Sequence, residues 1–326
     1  MGAAMKIIED NAHAADGVFY SVVVPAYNEQ DTVNLFYERA SSTMDSLGQP
    51  WEIVFVNDGS VDGTLEALRA LAKKDTRVKY VSLSRNFGHQ AALTAGLAHA
   101  SGRAIISIDC DLQDPPELIP QLCAKWQEGF DIVYARRSNY RKDSLTKRYA
   151  SMAYYFVLGK TSDIDMPENV GDFRLIDRKV LSILKAMPER ARYLRGMVAW
   201  AGFSHAFVDY QRPDRQLGDT GYSFKKLISL GMDGMLNFSL LPLRIGFIIG
   251  FVNIILGSLF LLYMVLDTLI FDKYYQLYKF LVVLLFMLMG VLFMFIWILG
   301  EYIGRIHNEV KGRPIYIESE KGNLPV

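Results

Sequence analysis

The stretch that decides the fold reads Ile105-Ile106-Ser107-Ile108-Asp109-Cys110-Asp111-Leu112-Gln113-Asp114-Pro115-Pro116. Its apolar first half predicts a buried strand, and the double proline marks a point beyond which the strand cannot continue. Side chains alternate along a strand, so Asp109 and Asp111 are expected on one face, with Gln113 beside them if the extended backbone continues. Such oxygen ligands suit Mg²⁺ or Mn²⁺ carrying a phosphate group. The alternative is a solvated acidic turn.

The rest of the first two thirds of the chain alternates short apolar strands with helical patterns. Strands are predicted over residues 19–25, 51–56, 78–83, 131–135, 171–176 and 203–210, and helices end near residues 47, 72, 100, 128 and 187. This rhythm predicts an α/β fold with a mostly parallel sheet and flanking helices. Ligands bind such sheets beyond the carboxyl ends of the strands, where the polar turns of this chain are expected to meet.

Composition narrows the class of protein. The chain has 326 residues, and its 35 basic and 35 acidic residues give a formal net charge of zero, so nothing indicates a nucleic-acid partner. The two cysteines, Cys110 and Cys123, are too few for a disulfide framework and predict reduced thiols facing the cytosol. Residues 1–17 lack the apolar core of a signal peptide and are expected to form a flexible tail.

Two uncharged runs near the C-terminus predict membrane helices. Residues 245–266 and 280–300 each contain about 20 residues without a charge, which is the length that crosses a bilayer. Both runs are apolar on every side, which disfavours the alternative of a pair of core helices. Arg244 precedes the first run, and Arg305, Lys311 and Arg313 follow the second, so both ends are expected in the cytoplasm.

These features predict five regions. The α/β domain, over residues 18–221, follows the tail, and residues 222–243 form an interfacial amphipathic helix and linker. Two transmembrane helices occupy residues 244–303, and a cytoplasmic C-terminal tail occupies residues 304–326. The expected location is therefore the inner membrane, crossed more than once, with the α/β domain and both termini in the cytoplasm.

Four turns, taken in order, resemble those of the inverting nucleotide-sugar glycosyltransferases of family 2, whose fold is called GT-A. They read Val-Val-Pro-Ala-Tyr-Asn-Glu, Val-Asn-Asp-Gly-Ser, Arg-Asn-Phe-Gly and Asp-Cys-Asp-Leu-Gln-Asp-Pro-Pro. Residues 168–175, 187–190 and 299–305 resemble the polyisoprenyl-phosphate branch of that family. The similarity is greatest to bacterial bactoprenol (undecaprenyl-phosphate) glucosyltransferases and smaller to dolichol-phosphate mannose synthase, and it extends from about residue 21 to residue 316.

The resemblance implies roles for particular residues. It implies nucleotide-sugar binding by Pro25, Tyr27, Glu29, Asp58, Arg85 and Asp109. It implies that a metal, Mg²⁺ or Mn²⁺, is held by Asp109, Asp111 and Gln113, and that the catalytic residues are Asp111 and Asp172. Because two anions must approach each other, the acceptor phosphate is expected to meet Arg137, Arg174 and Arg215. Taken one at a time, the first two turns are also compatible with ordinary strand-to-helix connections.

One loop departs from the family. Gly218-Asp219-Thr220-Gly221-Tyr222 has a glycine where relatives usually carry a phosphate-binding lysine, and Lys225 or Lys226 could replace it. A basic stretch is expected at the membrane face, although each of its residues also fits a solvated loop; it contains Arg136, Arg141, Lys142, Lys147 and Arg148.

The implied reaction is transfer of a sugar from a nucleotide sugar, UDP-glucose being favoured, to a polyprenyl phosphate, undecaprenyl phosphate being favoured. The acceptor phosphate is largely dianionic at neutral pH, since its second pKa is about 6, so little base catalysis is needed. One-step displacement inverts the anomeric centre, and the product would donate sugar for cell-surface glycan modification. Family members often form oligomers, so a homo-oligomer is an expected arrangement.

Several alternatives stay open at this point. The donor sugar could instead be galactose, N-acetylglucosamine, mannose or an amino-pentose. A processive polysaccharide synthase is disfavoured because the chain has no Gln-x-x-Arg-Trp sequence. A lipid-linked sugar flippase or membrane scaffold is disfavoured because the two apolar runs carry no charge that could accompany a sugar phosphate.

Overall fold

The computed structural model describes residues 17–138, 167, 169–211 and 277–324, together with single positions between 252 and 270. These residues divide into two compact units. The first holds the described residues up to 211 and those from Pro314 onward, and the second holds the long helix between them. The predicted interfacial region at 222–243 and Arg215, Lys225 and Lys226 lie outside the described residues.

The first unit alternates strands and helices. Its strands are β1 (Tyr20–Ala26), β2 (Trp51–Asn57), β3 (Val78–Leu83), β4 (Ala104–Ser107), β5 (Ile132–Arg137), β6 (Val170–Asp177), β7 (His205–Tyr210) and β8 (Glu318–Gly322). Its helices are α1 (Val33–Asp45), α2 (Thr64–Lys74), α3 (His89–His99), α4 (Ile119–Gln127), α5 (Arg178–Ala186) and α6 (Leu194–Trp200). A 3₁₀ turn, Pro116–Leu118, precedes α4. The six strands predicted away from the opening stretch are confirmed, each within two residues of its expected ends.

The strands form one eight-stranded sheet in the order β7-β5-β6-β4-β1-β2-β3-β8. β1 is parallel to β2 and β4, β2 is parallel to β3, and β5 is parallel to β7. β6 is antiparallel to β4 and β5, and β8 is antiparallel to β3. The predicted α/β fold with a mostly parallel sheet is therefore confirmed, with two strands that run the other way.

The direction of β6 places a second set of residues beside the strand ends. Because β6 runs against both β4 and β5, strands β1 to β5 and β7 all end at the same side of the sheet, which we call the carboxyl edge. β6 begins at this edge. Its register pairs Arg174 with Ser107, the last residue of β4, so Asp172 lies just beyond the end of β4.

Helix α3 packs closely on the sheet and delivers its first residue to the carboxyl edge. The residues of the helix from position 91 to position 97 are all buried, and Gly96 is one of them. A Cβ atom at Gly96 would lie 2.4 Å from Cγ1 of Val23 on β1 and 3.0 Å from Cγ2 of Val56 on β2. The helix can therefore approach these two strands only because this position has no side chain.

The C-terminal residues complete the sheet. The sequence indicated a tail over residues 304–326, whereas the structure places Glu318–Gly322 as an edge strand on β3. Glu320 accepts hydrogen bonds from Arg69 Nε at 2.9 Å and from the Tyr80 hydroxyl at 2.6 Å. Asn323 Nδ2 donates to the carbonyl oxygens of Ala72 and Val78 at 2.7 and 2.9 Å. The chain thus leaves the first unit after β7 and returns to it for its last strand.

The second unit contains helix α7 (Leu277–Val310), which covers the predicted second apolar run. The first apolar run falls outside the described residues except for single positions. Within the described part of the chain, no helix combines the length and the apolar character that a membrane crossing needs. The two predicted transmembrane helices are therefore not confirmed and stay a prediction.

We expect Gly96→Ala to destabilise the first unit, because the added methyl group would overlap Val23 and Val56. Overpacking of this kind costs about 1–3 kcal/mol, which urea unfolding would measure. The matched control is Ala98→Gly on the exposed side of the same helix, where the expected cost is at most about 1 kcal/mol. Unchanged stability in Gly96→Ala would contradict this account of the helix–sheet contact.

Candidate active site

The turns after β1 and β2 are tied together. Asn28 adopts a positive φ of 56°, and its backbone N–H donates to Ser60 Oγ at 3.0 Å. Its side-chain oxygen accepts from Val61 N–H at 3.0 Å. On the same turn, Tyr27 exposes 46% of its surface, so its ring is open to a flat ligand. The first turn thus presents an aromatic face on a backbone that hydrogen bonds hold in place.

Asp58 links the turn after β2 to the turn after β3. Its two carboxylate oxygens accept from the N–H groups of Phe87 at 2.7 Å and Gly88 at 3.0 Å. Burial raises the pKa of Asp58, although these two hydrogen bonds oppose the shift. The turns touch so closely that a Cβ at Gly59, whose φ is +65°, would lie 2.3 Å from the carbonyl carbon of Arg85. Asp58 therefore organises the backbone of this edge.

The remaining residues predicted to bind the nucleotide sugar lie on the same strand ends. Pro25 is buried within β1, opposite Val56 of β2. Glu29 accepts a hydrogen bond from Thr32 Oγ1 at 2.5 Å through its carboxylate. Arg85 is exposed, with its guanidinium 4.1 Å from the centre of the Phe87 ring. The structure therefore brings the predicted nucleotide-binding residues of the first three strands to neighbouring turns.

The acidic stretch after β4 is a turn, not a continued strand. β4 ends at Ser107, Leu112 adopts a left-handed φ of 58°, and the Gln113 N–H donates to Asp111 Oδ1 at 3.1 Å. The expectation that an extended backbone carries Asp111 and Gln113 along one strand face is therefore wrong. The carboxylate of Asp111 caps the turn by accepting from the backbone N–H two residues further along.

One oxygen of Asp109 has an unusual environment. Among the described residues, Asp109 Oδ1 is buried without a hydrogen-bond partner, and the nearest cationic atom is His89 Nε2 at 3.6 Å. The side chain as a whole keeps 31% of its surface exposed, so burial falls mainly on this oxygen. Burial raises the pKa of Asp109 to about 6. An unpaired buried carboxylate oxygen is costly, and a bound cation would compensate it.

The donor set at this turn fits a hard divalent cation. Asp109 and Asp111 supply carboxylate oxygens and Gln113 supplies an amide oxygen, which are the ligand types that Mg²⁺ and Mn²⁺ prefer. Within the described ranges, no cluster of three or more His, Cys, Asp or Glu side chains is placed to hold a metal by itself. Mg²⁺ is commonly held by one or two carboxylates together with the phosphates of a substrate.

Asp172 accepts hydrogen bonds from three cationic side chains. Its Oδ1 accepts from Arg174 Nη2 at 2.9 Å and from Arg195 Nε at 3.1 Å. Its Oδ2 lies 2.9 Å from Arg195 Nη2 and 3.2 Å from His89 Nε2. Burial alone would raise the pKa of Asp172, but these partners hold it well below its usual range. We call Asp172, His89, Arg174 and Arg195 the Asp172 cluster.

His89 connects the Asp172 cluster to the acidic turn. Its Nε2 is within 3.6 Å of both Asp109 Oδ1 and Asp172 Oδ2. Burial opposes protonation of His89, but the two carboxylates outweigh it and raise its pKa. The carboxylates predicted as metal ligand and catalytic residue are therefore neighbours, bridged by one imidazole.

Asp114 forms a second ion pair at this edge. It is fully buried, accepts a short hydrogen bond from the Tyr210 hydroxyl, and lies 3.4 Å from Arg137 Nη2. Arg137 Nε also donates to the Tyr210 hydroxyl at 3.1 Å. Burial and the Asp114 carboxylate both raise the pKa of Tyr210. Arg137, at the end of β5, is thus oriented toward the acidic turn.

The three arginines predicted to bind the acceptor phosphate differ in exposure, in pairing and in whether the structure describes them. Arg137 lies at the carboxyl edge with 31% of its side chain exposed. Arg174 is only 3% exposed and pairs with Asp172, which suits a structural partner better than a phosphate ligand. Arg215 lies outside the described residues, as do Arg141, Lys142, Lys147 and Arg148. The fifth residue of the predicted basic stretch, Arg136, pairs with Asp209 at 2.6 Å.

Three residues of this site were not predicted. Asp114 belongs to the opening stretch and His89 directly follows the Arg-Asn-Phe-Gly turn, so their positions at strand ends were visible signals. Arg195 carried no such signal, because it lies on a short helix that the sequence pattern did not indicate.

The chain is similar in sequence to known glycosyltransferases. The model of "Glycosyl transferase family 2" matches residues 21–184. The chain is 41% identical over 298 residues to an uncharacterized glycosyltransferase, YkcC, of Bacillus subtilis, covering 91% of this chain and 92% of that protein. It is 42% identical over 305 residues to the bactoprenol glucosyl transferase of Shigella phage SfII, covering 93% and 99%.

A comparison of structures finds glucosyl-3-phosphoglycerate synthase from Mycobacterium tuberculosis, solved in complex with Mn²⁺ and uridine-diphosphate-glucose. The TM-score is 0.42 and the identity is 21%, over 69% of this chain and 79% of that one.

The pKa of Asp109 predicts an effect of pH on stability. The folded value of about 6 exceeds the ordinary 3.8, so the folded state binds the proton more tightly and stability falls as pH rises between these values. We expect Asp109→Asn to raise the free energy of unfolding by about 1–3 kcal/mol at pH 8 and to have little effect near pH 4. Urea unfolding at both pH values measures this. An Asp109→Asn variant that is less stable than the wild type at pH 8 would contradict the raised pKa of Asp109.

Asp172→Ala should be strongly destabilising. It leaves the buried guanidinium of Arg174 without its carboxylate, and such a loss costs about 3–5 kcal/mol. The control is Asp209→Ala, which breaks the exposed pair with Arg136 and should cost far less. Urea unfolding of the two variants compares them directly, and equal losses would show that the buried cluster is not a stability determinant.

Proposed function

The chain belongs to glycosyl transferase family 2, and we propose that it transfers a sugar from a nucleotide sugar to the phosphate of a polyprenyl phosphate. UDP-glucose and undecaprenyl phosphate are the favoured substrates, since the relative from Shigella phage SfII is named a bactoprenol glucosyl transferase and 99% of its length is covered. The product would be a lipid-phosphate-linked sugar that serves cell-surface glycan modification.

The observation that carries this proposal is the acidic turn at the carboxyl edge, where a buried oxygen of Asp109 has no hydrogen-bond partner in the described part of the chain. Asp109 and Asp111, with Gln113, would hold Mg²⁺ or Mn²⁺. When bound, the cation supplies positive charge that neutralises the leaving diphosphate. The residues of the chain would position the donor. The hydrogen bond to the Asp111 carboxylate fixes the turn, and Arg137 lies beside the turn, paired with Asp114.

The first three strand ends support a site for the nucleoside. The exposed ring of Tyr27 can stack on a base, as aromatic side chains do with any flat π-system. Each oxygen of Asp58 accepts one backbone hydrogen bond, which leaves each a lone pair for an N–H of the base. Glu29 lies on the same turn as Tyr27 and would accept from the base or the ribose.

The protonation state of Asp172 bears on how the acceptor is activated. Its carboxylate already accepts four hydrogen bonds and its pKa is low, so it is a weak proton acceptor. A polyprenyl phosphate does not need one, because its phosphate is largely a dianion above a pKa of about 6. We therefore assign Asp172 an orienting role. The phosphate oxygen attacks the anomeric carbon as the bond to the diphosphate breaks, which inverts an α-linked donor to a β-linked product.

The strand order supports the proposed membrane topology. β7 and β8 belong to the same sheet, although they lie on either side of residues 212–313 in the sequence. Both ends of that separating segment are therefore on the same side of any bilayer, and the segment must cross it an even number of times. Two crossings within residues 244–303, with the catalytic domain and both termini cytoplasmic, meet this condition.

The direct test uses purified protein, Mg²⁺, undecaprenyl phosphate and labelled UDP-glucose. We expect label to move into the lipid fraction as a β-linked sugar phosphate. A parallel series with UDP-galactose, UDP-N-acetylglucosamine, GDP-mannose and a UDP-amino-pentose identifies the donor. No labelled lipid with any of these donors would refute the proposal.

Asp111→Ala should abolish this transfer and leave the fold intact, because among the described residues its carboxylate accepts a hydrogen bond only from the Gln113 N–H. The control is Glu117→Ala on the adjacent 3₁₀ turn, which removes an exposed carboxylate paired with Arg39 at 2.7 Å and should keep activity. Near-normal transfer by Asp111→Ala would contradict the metal assignment.

A further inference from the structure

Arg195 is the exposed arginine of the Asp172 cluster. It is the second residue of α6, and the backbone N–H of the preceding Leu194 donates to Gln90 Oε1 at 2.9 Å. This hydrogen bond ties the start of α6 to the start of α3, next to His89. The Arg195 side chain is 38% exposed, whereas Arg174 is 3% exposed. Of the two arginines that share Asp172, Arg195 is therefore the one that a ligand can reach.

The way Arg195 binds Asp172 leaves one side of its guanidinium available. Nε and Nη2 donate to the two carboxylate oxygens at 3.1 and 2.9 Å. A guanidinium has five N–H groups, so this side-on pair uses two of them. Within residues 17–138 and 169–211, no hydrogen bond from Nη1 of Arg195 is present. Nη1 and the second N–H of Nη2 form the fork that binds phosphate in a bidentate manner.

The charge of the cluster also favours an anion. One carboxylate, Asp172, is shared between the guanidinium groups of Arg174 and Arg195. Burial would lower the pKa of Arg195, but the Asp172 carboxylate outweighs it, so the guanidinium stays charged. Asp109, whose carboxylate also acts electrostatically on Arg195, is the residue expected to face a cation. With that cation present, the Asp172 cluster would carry an excess of positive charge next to the substrate.

We propose that Arg195 binds a phosphate group of a substrate and that Asp172 holds its guanidinium in the required orientation. The inference rests on the proposed function and adds a residue to that site. The ligand chemistry is a phosphate, which could be the monoester of the acceptor or the diphosphate of the donor. Arg195 pairs with Asp172, and His89 lies within 3.6 Å of both Asp172 and Asp109, so two residues, Asp172 and His89, link Arg195 to the acidic turn.

The alternative is that Arg195 only stabilises the fold. A purely structural arginine in this cluster would resemble Arg174, which is buried in the sheet beneath the edge. Arg195 instead keeps an exposed side on a residue whose position is fixed by Asp172 and, through Leu194, by Gln90. Such fixation reduces the entropy lost when a ligand binds.

The experiment measures binding without turnover. Arg195→Gln and Arg195→Lys are compared with the wild type for UDP in the presence of Mn²⁺, and for farnesyl phosphate with farnesol as the probe that lacks the phosphate. The matched control is Arg103→Gln, which makes the same change at an exposed arginine before the start of β4, at the opposite edge of the sheet.

We expect Arg195→Gln to weaken the binding of either UDP or farnesyl phosphate about 10–100-fold. A lost charge-assisted hydrogen bond has an effect of this size. Loss of farnesyl phosphate affinity with unchanged UDP affinity assigns the acceptor monoester, and the converse assigns the diphosphate. Arg195→Lys should recover part of the loss, because it keeps the charge without the fork. Farnesol binding and Arg103→Gln should be unaffected.

Unchanged affinity for both phosphates in folded Arg195→Gln would overturn the proposal. If that variant does not fold, the same result in Arg195→Lys would overturn it, since lysine cannot reproduce bidentate binding. Equal weakening of farnesyl phosphate and farnesol would also overturn it, because the effect would not depend on the phosphate. A wild type that binds both phosphates but transfers no sugar would instead refute the proposed function.

Discussion

The carboxylate of Asp172, held by one histidine and two arginines, is the interaction on which the arrangement of this site depends. It lies on β6, an antiparallel strand that starts where the parallel strands end. Its partners therefore come from β6 itself and from the first turns of α3 and α6, which reach the same edge. Burying such a carboxylate is tolerable only because its partners are cationic and its oxygens are saturated with hydrogen bonds. The same hydrogen bonds place His89 against Asp109 and give Arg195 a defined orientation.

This arrangement separates the roles of the site's carboxylates. Asp172 is stabilised as an anion and has little tendency to accept a proton. Asp109 has the opposite character, with a raised pKa and a buried oxygen that lacks a hydrogen-bond partner among the described residues. The protein itself thus supplies the partners of Asp172, whereas we propose that the partner of Asp109 is a bound cation. A phosphate nucleophile fits such a site, because it brings its own negative charge and needs no base.

Much of the fold followed from the order of apolar runs and turns. Strands β1 to β7 and helices α1 to α5 have strong local patterns, and the turns after β1 to β4 converge because parallel strands must end at one edge. The backbone conformation of the acidic turn could not be predicted in this way. The alternation of apolar and polar residues carries no signal for the left-handed backbone of Leu112. β8 was missed because Glu-Ser-Glu-Lys-Gly has no apolar period, and its pairing depends on the open edge of β3. Arg195 could not be found because its role comes from a contact with a residue 23 positions away.

The most direct test of the account is a crystal structure of the protein with UDP and Mn²⁺, using the anomalous scattering of manganese to locate the ion. The account predicts a peak within coordination distance of the carboxylates of Asp109 and Asp111, with the diphosphate completing its ligands. A peak away from this turn, or UDP bound at the carboxyl edge with no ion between it and these residues, would contradict it.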